Sequence, residues 1–280
     1  MLRSMYAGIS GMKNFQTKLD VIGNNIANVN TSGFKKGRVT FQDMMAQTTT
    51  GAQAPIPGSR GGSNAVQVGL GSQIGSIDNI HTQGFRQTTN NPLDLTIEGD
   101  GMFVLSAGGD ETYFTRAGNF YLDDNGYIVN PDGYYLQGFP ATNDVIGNQQ
   151  DRLEIPENAQ SFSISSNGTV NYIDANNNTR IAGQITLAKF SNPSGLQLSG
   201  SNLYMDSPNA GRVALQNGTD IFTPDTNGVG ALVSGSLEMS NVDLAEEFTE
   251  MITAQRGFQA NTRIITTSDE ILQELVNLKR

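Results

Sequence analysis

The chain of 280 residues has no cysteine, no tryptophan and a single histidine, His81. The missing thiols exclude disulfides, thiolate nucleophiles and cysteine-ligated zinc. One histidine cannot form a histidine pair or a histidine-based metal cluster, and no Gly-x-Ser-x-Gly elbow accompanies it; His81 reads as a solvated or hydrogen-bonded structural residue. Long apolar runs are also lacking: none approaches the ~20 residues a membrane-spanning helix needs, so no membrane insertion is expected. The first residues, Met1 to Ile9, carry no signal-peptide core. Positive charge is scarce as well. With a net charge of −10, the chain offers no basic patch for a phosphate backbone, which argues against nucleic acid. Its densest basic group, Lys35, Lys36 and Arg38, reads as a solvated loop.

Other fragments suggest chemistry only in part. Asp174 to Thr179 imitates the start of a calcium loop, but Ile185 stands where a bidentate Glu is needed. Asp123-Asp124 reads as turn residues. Glu98-Gly99-Asp100-Gly101 and Gly69-Leu70-Gly71 offer backbone amides without a phosphate-binding lysine. No catalytic, metal-binding or cofactor-binding residue is therefore assigned, and the expectation is a structural protein without a cofactor, not an enzyme.

What the chain does have is strong periodicity at both ends. Leu2, Met5, Ile9 and Met12 recur at three- and four-residue spacing, and Phe15, Leu19, Ile22 and Ile26 continue after a one-residue slip. This is the seam of a helix that buries one stripe against partners. Gly8, Gly11 and Gly23 weaken that helix and could permit close approach. Near the C-terminus, Leu244, Phe248, Met251, Phe258, Ile265, Leu272 and Val276 form a second seam, with Gln255, Thr262 and Asp269 at its polar positions. Asp243 and Glu246 read as a capping box, and Lys279 and Arg280 complement the far end of the dipole. A helix from about 243 to 279 would be about 55 Å long at 1.5 Å per residue.

The middle has the period of strands. Leu93, Leu95 and Ile97 alternate with Asp94, Thr96 and Glu98, as in a half-buried strand. Asn125-Gly126, Asp132-Gly133 and Asn167-Gly168 lie between apolar or aromatic runs and predict hairpins with positive φ at both central residues. Residues 48–62 have few core formers and read as an extended or mobile linker; a second polar stretch spans 217–230. The fold expected is mainly β: an antiparallel outer domain over 93–235, terminal helices over 1–30 and 243–280 paired as a coiled-coil-like domain, and a connector over 31–92 plus 236–242.

The two ends also carry long motifs. Asn24-Asn25-Ile26-Ala27-Asn28-Val29-Asn30-Thr31-Ser32-Gly33-Phe34-Lys35 resembles the N-terminal signature of flagellar rod and hook proteins. Ser240-Asn241-Val242-Asp243-Leu244, Met251 to Arg256 (with Gln255 and Arg256) and Asn277 to Arg280 resemble the C-terminus of hook proteins, and Thr115 to Phe120 matches between them. The resemblance covers nearly the whole chain. It implies terminal helices that line a tube, β-rich outer domains, and export without a cleaved signal through the flagellar type III apparatus. It also implies a homopolymer in the extracellular flagellum or basal body, with rod, hook–filament junction and hook cap proteins as neighbours. Val242-Asp243-Leu244 with the ending Leu275 to Arg280 favours a short hook protein, a bendable torque-transmitting tube, over a distal rod protein, although the stretch 48–62 resembles an insertion found in distal rod proteins that short hook proteins can also carry. A secreted β module for glycan or host protein would explain the middle but leave both helical ends without a purpose.

Overall fold

The computed structural model describes residues 2–55, 61–108, 111–142, 144–213 and 221–278. The chain is mainly β, with one long helix at each end, and divides into two compact units. One comprises 1–27, 37–79 and 243–280; the other comprises 28–36 and 80–242.

In the first unit, α1 (Leu2–Ala27) and α2 (Leu244–Asn277) are the two terminal helices. Asp243 caps α2: its side chain accepts from the Ala245 N–H at 2.8 Å, and Glu246 and Glu247 fill the first turn. Lys279 and Arg280 lie outside the described residues. The helices approach closely through small residues. A Cβ at Gly11 would meet Asn261 Nδ2 at 2.8 Å, and one at Gly257 would meet the Phe15 ring at 2.6 Å. Gly23, by contrast, faces open space.

The segment expected as a connector is instead a long antiparallel ribbon. Gly37–Asp43 pairs with Ser72–Asn79, and Gln47–Thr50 pairs with Val66–Val68. A bridge between Gln53 and Ser63 continues the pairing outward, so the described part of 48–62 is not a loose linker. Residues 56–60 lie outside the described residues. Phe41, on the ribbon, packs edge-on against Phe15 of α1 at 6.0 Å between ring centroids.

The second unit is built on an antiparallel sheet whose main path runs 161–164, 169–173, 179–185, 135–142, 102–106, 112–115, 203–205, 197–200. Met102 to Leu105 is buried on both faces of this sheet. Phe103 and Leu105 enter one cluster, with Leu95, Ile97, Phe120 and Leu136, while Met102 and Val104 enter another with Phe114 and Phe190. Two-sided burial explains why that strand is continuously apolar. It also corrects the half-buried reading of 93–98: Asp94 and Thr96 are buried too, and Thr96 Oγ1 donates to the Ser236 carbonyl at 2.8 Å.

The hairpins fall where the turn dipeptides stand, with different chemistry. Leu122 pairs with Ile128, Val129 with Tyr135, and Ile164 with Val170. Only Gly126, Gly133 and Gly168 have positive φ, at 81°, 83° and 81°; Asn125, Asp132 and Asn167 do not. These are longer loops closed by one left-handed glycine, not two-residue turns. The polar stretch beyond residue 217 is also packed where described: Ile221, Phe222 and Val229 are buried, and Phe222 exchanges backbone hydrogen bonds with Leu187.

Candidate assembly interface

Helix periodicity places two kinds of apolar residue on α2. The face turned to α1 repeats as Glu247, Met251, Ala254, Phe258, Asn261, Ile265, Ser268 and Leu272, in alternating steps of four and three. Met251, Phe258, Ile265 and Leu272 are the residues read from the sequence. Their partners are not. Gln255 and Asp269 are exposed, and the small or polar Ala254, Asn261 and Ser268 take the inner positions. α1 lies close to this face at Gly8 and Gly11, where a Cβ would meet Ile265 and Asn261.

A second set of apolar residues is left bare. Leu244, Phe248 and Ile252 follow one another at four-residue spacing on one flank of the seam; Ile264, Ile271 and Leu275 lie on the opposite flank. Phe248 is 50% and Val276 66% exposed, so neither sits in the seam expected for it. On α1, Ile22 is buried, and Met5, Ile9, Met12, Phe15, Leu19 and Ile26 are partly covered. The Leu2 side chain lies outside the described residues. Arg256 and Ala27 are exposed.

The motif residues do something else: they hold each unit together internally. In the first unit, the buried Asn25 side chain acts like a peptide group. Its Oδ1 accepts from the Gly37 N–H at 2.9 Å, and its Nδ2 donates to the Gly37 carbonyl at 2.9 Å and to Glu247 Oε2 at 3.2 Å. In the second unit, three motifs distant in sequence meet around Glu238. Lys35 Nζ donates to Glu238 Oε1 at 2.6 Å and to the Thr82 carbonyl at 2.8 Å. Arg116 Nη1 lies 3.3 Å from Glu238 Oε2, while its Nη2 donates to the Gly99 carbonyl. The Gly84 N–H donates to Glu238 Oε1, and the Gly33 N–H to the Glu238 carbonyl. Gly33, at φ 71°, has no room for a side chain, since a Cβ would meet the Ala117 nitrogen at 2.5 Å.

Asn241 joins the same closure. Its Oδ1 accepts from the Lys36 N–H at 2.7 Å and its Nδ2 donates to the Ile80 carbonyl at 2.8 Å. Ser240 and Val242 are buried beside it, and Thr31 donates to Asn28 Oδ1 at 3.1 Å in the turn that leads to the partly covered Phe34.

The reading of Lys35 as a solvated loop residue is therefore overturned: its side chain is fully buried against Glu238. Burial pushes the Lys35 ammonium down from its ordinary pKa and does the same to Arg116, against the opposing pull of Glu238. His81 departs from expectation too. Neither ring nitrogen has a hydrogen-bond partner, and burial, reinforced by Lys35 and Arg116, lowers its pKa to about 4. Sequence reasoning passed over Glu238; the one available signal is an isolated acid inside Ser236-Leu237-Glu238-Met239.

Among the described residues no group of three or more potential metal ligands occurs, and no helix is long and apolar enough to cross a membrane.

Comparison with known proteins agrees with the distribution of these motifs. Residues 5–35 match the family "Flagella basal body rod protein", residues 96–172 "Flagellar hook protein FlgE/F/G D1 domain", and residues 233–278 "Flagellar basal body rod FlgEFG protein C-terminal". The chain is 57% identical over 280 residues to the flagellar basal-body rod protein FlgG of Bacillus subtilis, covering all of both chains. It is 38% identical to FlgG of Caulobacter vibrioides, covering 99% of this chain and all of that one. Against the flagellar hook protein FlgE of Borreliella burgdorferi it is 31% identical, with both chains fully covered in an alignment of 449 positions. That alignment is far longer than this chain, so the hook relative contains a long stretch absent here. The preference for a hook protein drawn from the C-terminal residues gives way to the rod alternative. These full-length relatives establish that the chain belongs to the family of structural proteins that build the flagellar rod and hook.

Proposed function

We propose that the chain is a subunit of the distal rod, polymerising into a straight tube that transmits torque through the flagellar basal body. The observation that carries this reading is the division of α2 into covered and open apolar surfaces. One face is filled by α1 within the chain; the flanks on either side of it, Leu244, Phe248 and Ile252 on one and Ile264, Ile271 and Leu275 on the other, are open to solvent. Fully burying each such side chain contributes about 1.5–3 kcal/mol, which only a neighbouring subunit can supply. Identity to rod proteins over the full length supports rod over hook.

A rod must resist bending, and the ribbon 37–79 serves that end. It packs against α1 through Phe41 and Phe15, and the Asn14 side chain donates to Ser72 Oγ at 2.8 Å. A helix braced in this way bends less than a bare one.

Other partners follow from the same reading: copies of itself, adjacent rod and hook subunits, and the flagellar type III apparatus that exports it without a cleaved signal. Labelling the subunit in isolated basal bodies tests the assignment. Label confined to the segment below the hook supports it, and label along the hook overturns it.

A further inference from the structure

We propose that Asn227 is a site of spontaneous covalent modification, converted in the folded protein to aspartate and isoaspartate well ahead of the other Asn-Gly dipeptides in the described structure.

Three such dipeptides are described: Asn125-Gly126, Asn167-Gly168 and Asn227-Gly228. A fourth, Asn217-Gly218, lies outside the described residues. The reaction begins when the glycine amide nitrogen, having lost its proton to solvent base, attacks the asparagine Cγ. A new C–N bond closes a five-membered succinimide as the side-chain nitrogen leaves as ammonia. Water then opens the ring at either carbonyl, giving aspartate or isoaspartate. One water is consumed, one ammonia is released, and no oxidant or enzyme is needed. The glycine N–H must be free to ionise, and the backbone must be free to turn it toward Cγ.

The three sites differ in these respects. Gly126 N–H donates to the Asp123 carbonyl at 2.9 Å, and Gly168 N–H donates to the Ser165 carbonyl at 2.9 Å. Both glycines are buried. The Asn167 side chain is further held, because its Oδ1 accepts from the Thr169 N–H and hydroxyl. At the third site both residues are exposed, and among the described residues neither the Asn227 side chain nor the Gly228 N–H has a hydrogen-bond partner.

Two non-glycine residues there, Asp225 and Asn227, are held at positive φ, 63° and 52°. Asn227 can relieve part of that strain by leaving the left-handed region. Lys189 supplies the electrostatic contribution. Its Nζ donates to the Gly228 carbonyl at 2.9 Å. An ammonium this close favours the ionised Gly228 amide and then the new carboxylate. Isoaspartate would insert a methylene into the main chain just before Gly230, whose N–H donates to the Asp100 carbonyl at 2.8 Å.

The test is incubation of the purified full chain at mildly alkaline pH, with peptide mapping by mass spectrometry over time. Conversion of Asn227 should exceed that of Asn125 and Asn167 by about tenfold, the factor imposed by having to break one amide hydrogen bond first. In denaturing urea the three rates should converge. Comparable rates at the three sites in the folded chain would overturn the proposal, as would a difference that persists in urea. K189M should slow conversion of Asn227 in the folded chain and leave its rate in urea unchanged; an unchanged folded rate would remove the ammonium from the mechanism.

Discussion

The two units bury their hydrophobic and charged residues in opposite ways. The second unit closes on itself: Phe103, Phe114, Phe120, Leu105 and Leu136 are fully buried, and its deepest cations, Lys35 and Arg116, share the buried Glu238 carboxylate. The first unit leaves Phe248, Ile252, Ile271 and Leu275 in water, and along its seam the small or polar Ala254, Asn261 and Ser268 alternate with the half-covered Met251, Phe258, Ile265 and Leu272. A unit with a complete core is stable as a monomer. A unit whose largest apolar side chains face outward is completed by association. The same chain thus carries a finished domain and an unfinished one, as a subunit of a polymer must.

The sharpest way to break this contrast is to remove the charge at the centre of the finished unit. E238Q leaves Lys35 and Arg116 buried without a counter-ion. Removing one member of a buried ion group costs about 3–5 kcal/mol. Thermal unfolding should show the β transition lowered or lost in E238Q. A transition at the wild-type temperature would mean that the cluster is hydrated, and that the second unit is no better closed than the first. G118A tests the same closure through packing alone. A Cβ at Gly118 would overlap the Leu95 carbonyl, and overpacking of this kind costs about 1–3 kcal/mol.

In the first unit the effect should move from stability to assembly. F248D and I271D place a carboxylate on the open flanks of α2. Each should prevent polymerisation, measured by sedimentation and electron microscopy, because an unpaired carboxylate is costly once a neighbour excludes water. In the monomer both positions are exposed, so unfolding of the β unit should change by less than about 0.5 kcal/mol. Polymers of normal yield from either variant would show that these flanks do not meet neighbouring subunits.

The sequence showed the elements more readily than their partners. Period 3.6 at both ends located α1 and α2 nearly to the residue, and Asp243 marked the start of α2 as a cap should. The turn glycines Gly126, Gly133 and Gly168 located three hairpins. Three features were illegible for a common reason: each depends on what lies across space. The α2 seam depends on what α1 presents to it, with Gly8 and Gly11 set against Ile265 and Asn261, and hydropathy alone favours the larger residues on either flank. Residues 48–62 lack core formers because a two-stranded ribbon buries little, yet backbone pairing still orders the described part. Lys35 looks like a solvated charge until Glu238, 203 residues away, is placed against it.

The smallest expected effect separates the units by pH. His81 is the only histidine and belongs to the second unit, so the first has no imidazole to titrate. Burial, with Lys35 and Arg116 nearby, lowers its folded pKa to about 4, against 6.5 for the ordinary side chain. As pH falls through 6.5 the unfolded chain binds a proton that the folded chain refuses until about 4. Stability is therefore unaffected by His81 above 6.5 and declines between 6.5 and 4. The decline reaches about 1 kcal/mol one pH unit into that window. The carboxylates of Glu238 and Asp100 lie near Arg116, so the comparison must be made between chains that share them. H81F serves for this purpose. Its ring can keep the contact with Tyr204, now 5.5 Å between centroids, and the two nitrogens it removes have no partner to lose. Unfolding of the β unit in H81F should match wild type at neutral pH and be the more stable of the two at pH 5.5. If the two chains lose stability in parallel from 6.5 to 5, the imidazole is reached by solvent protons in the folded state, and the second unit is less tightly closed around His81 than its burial indicates.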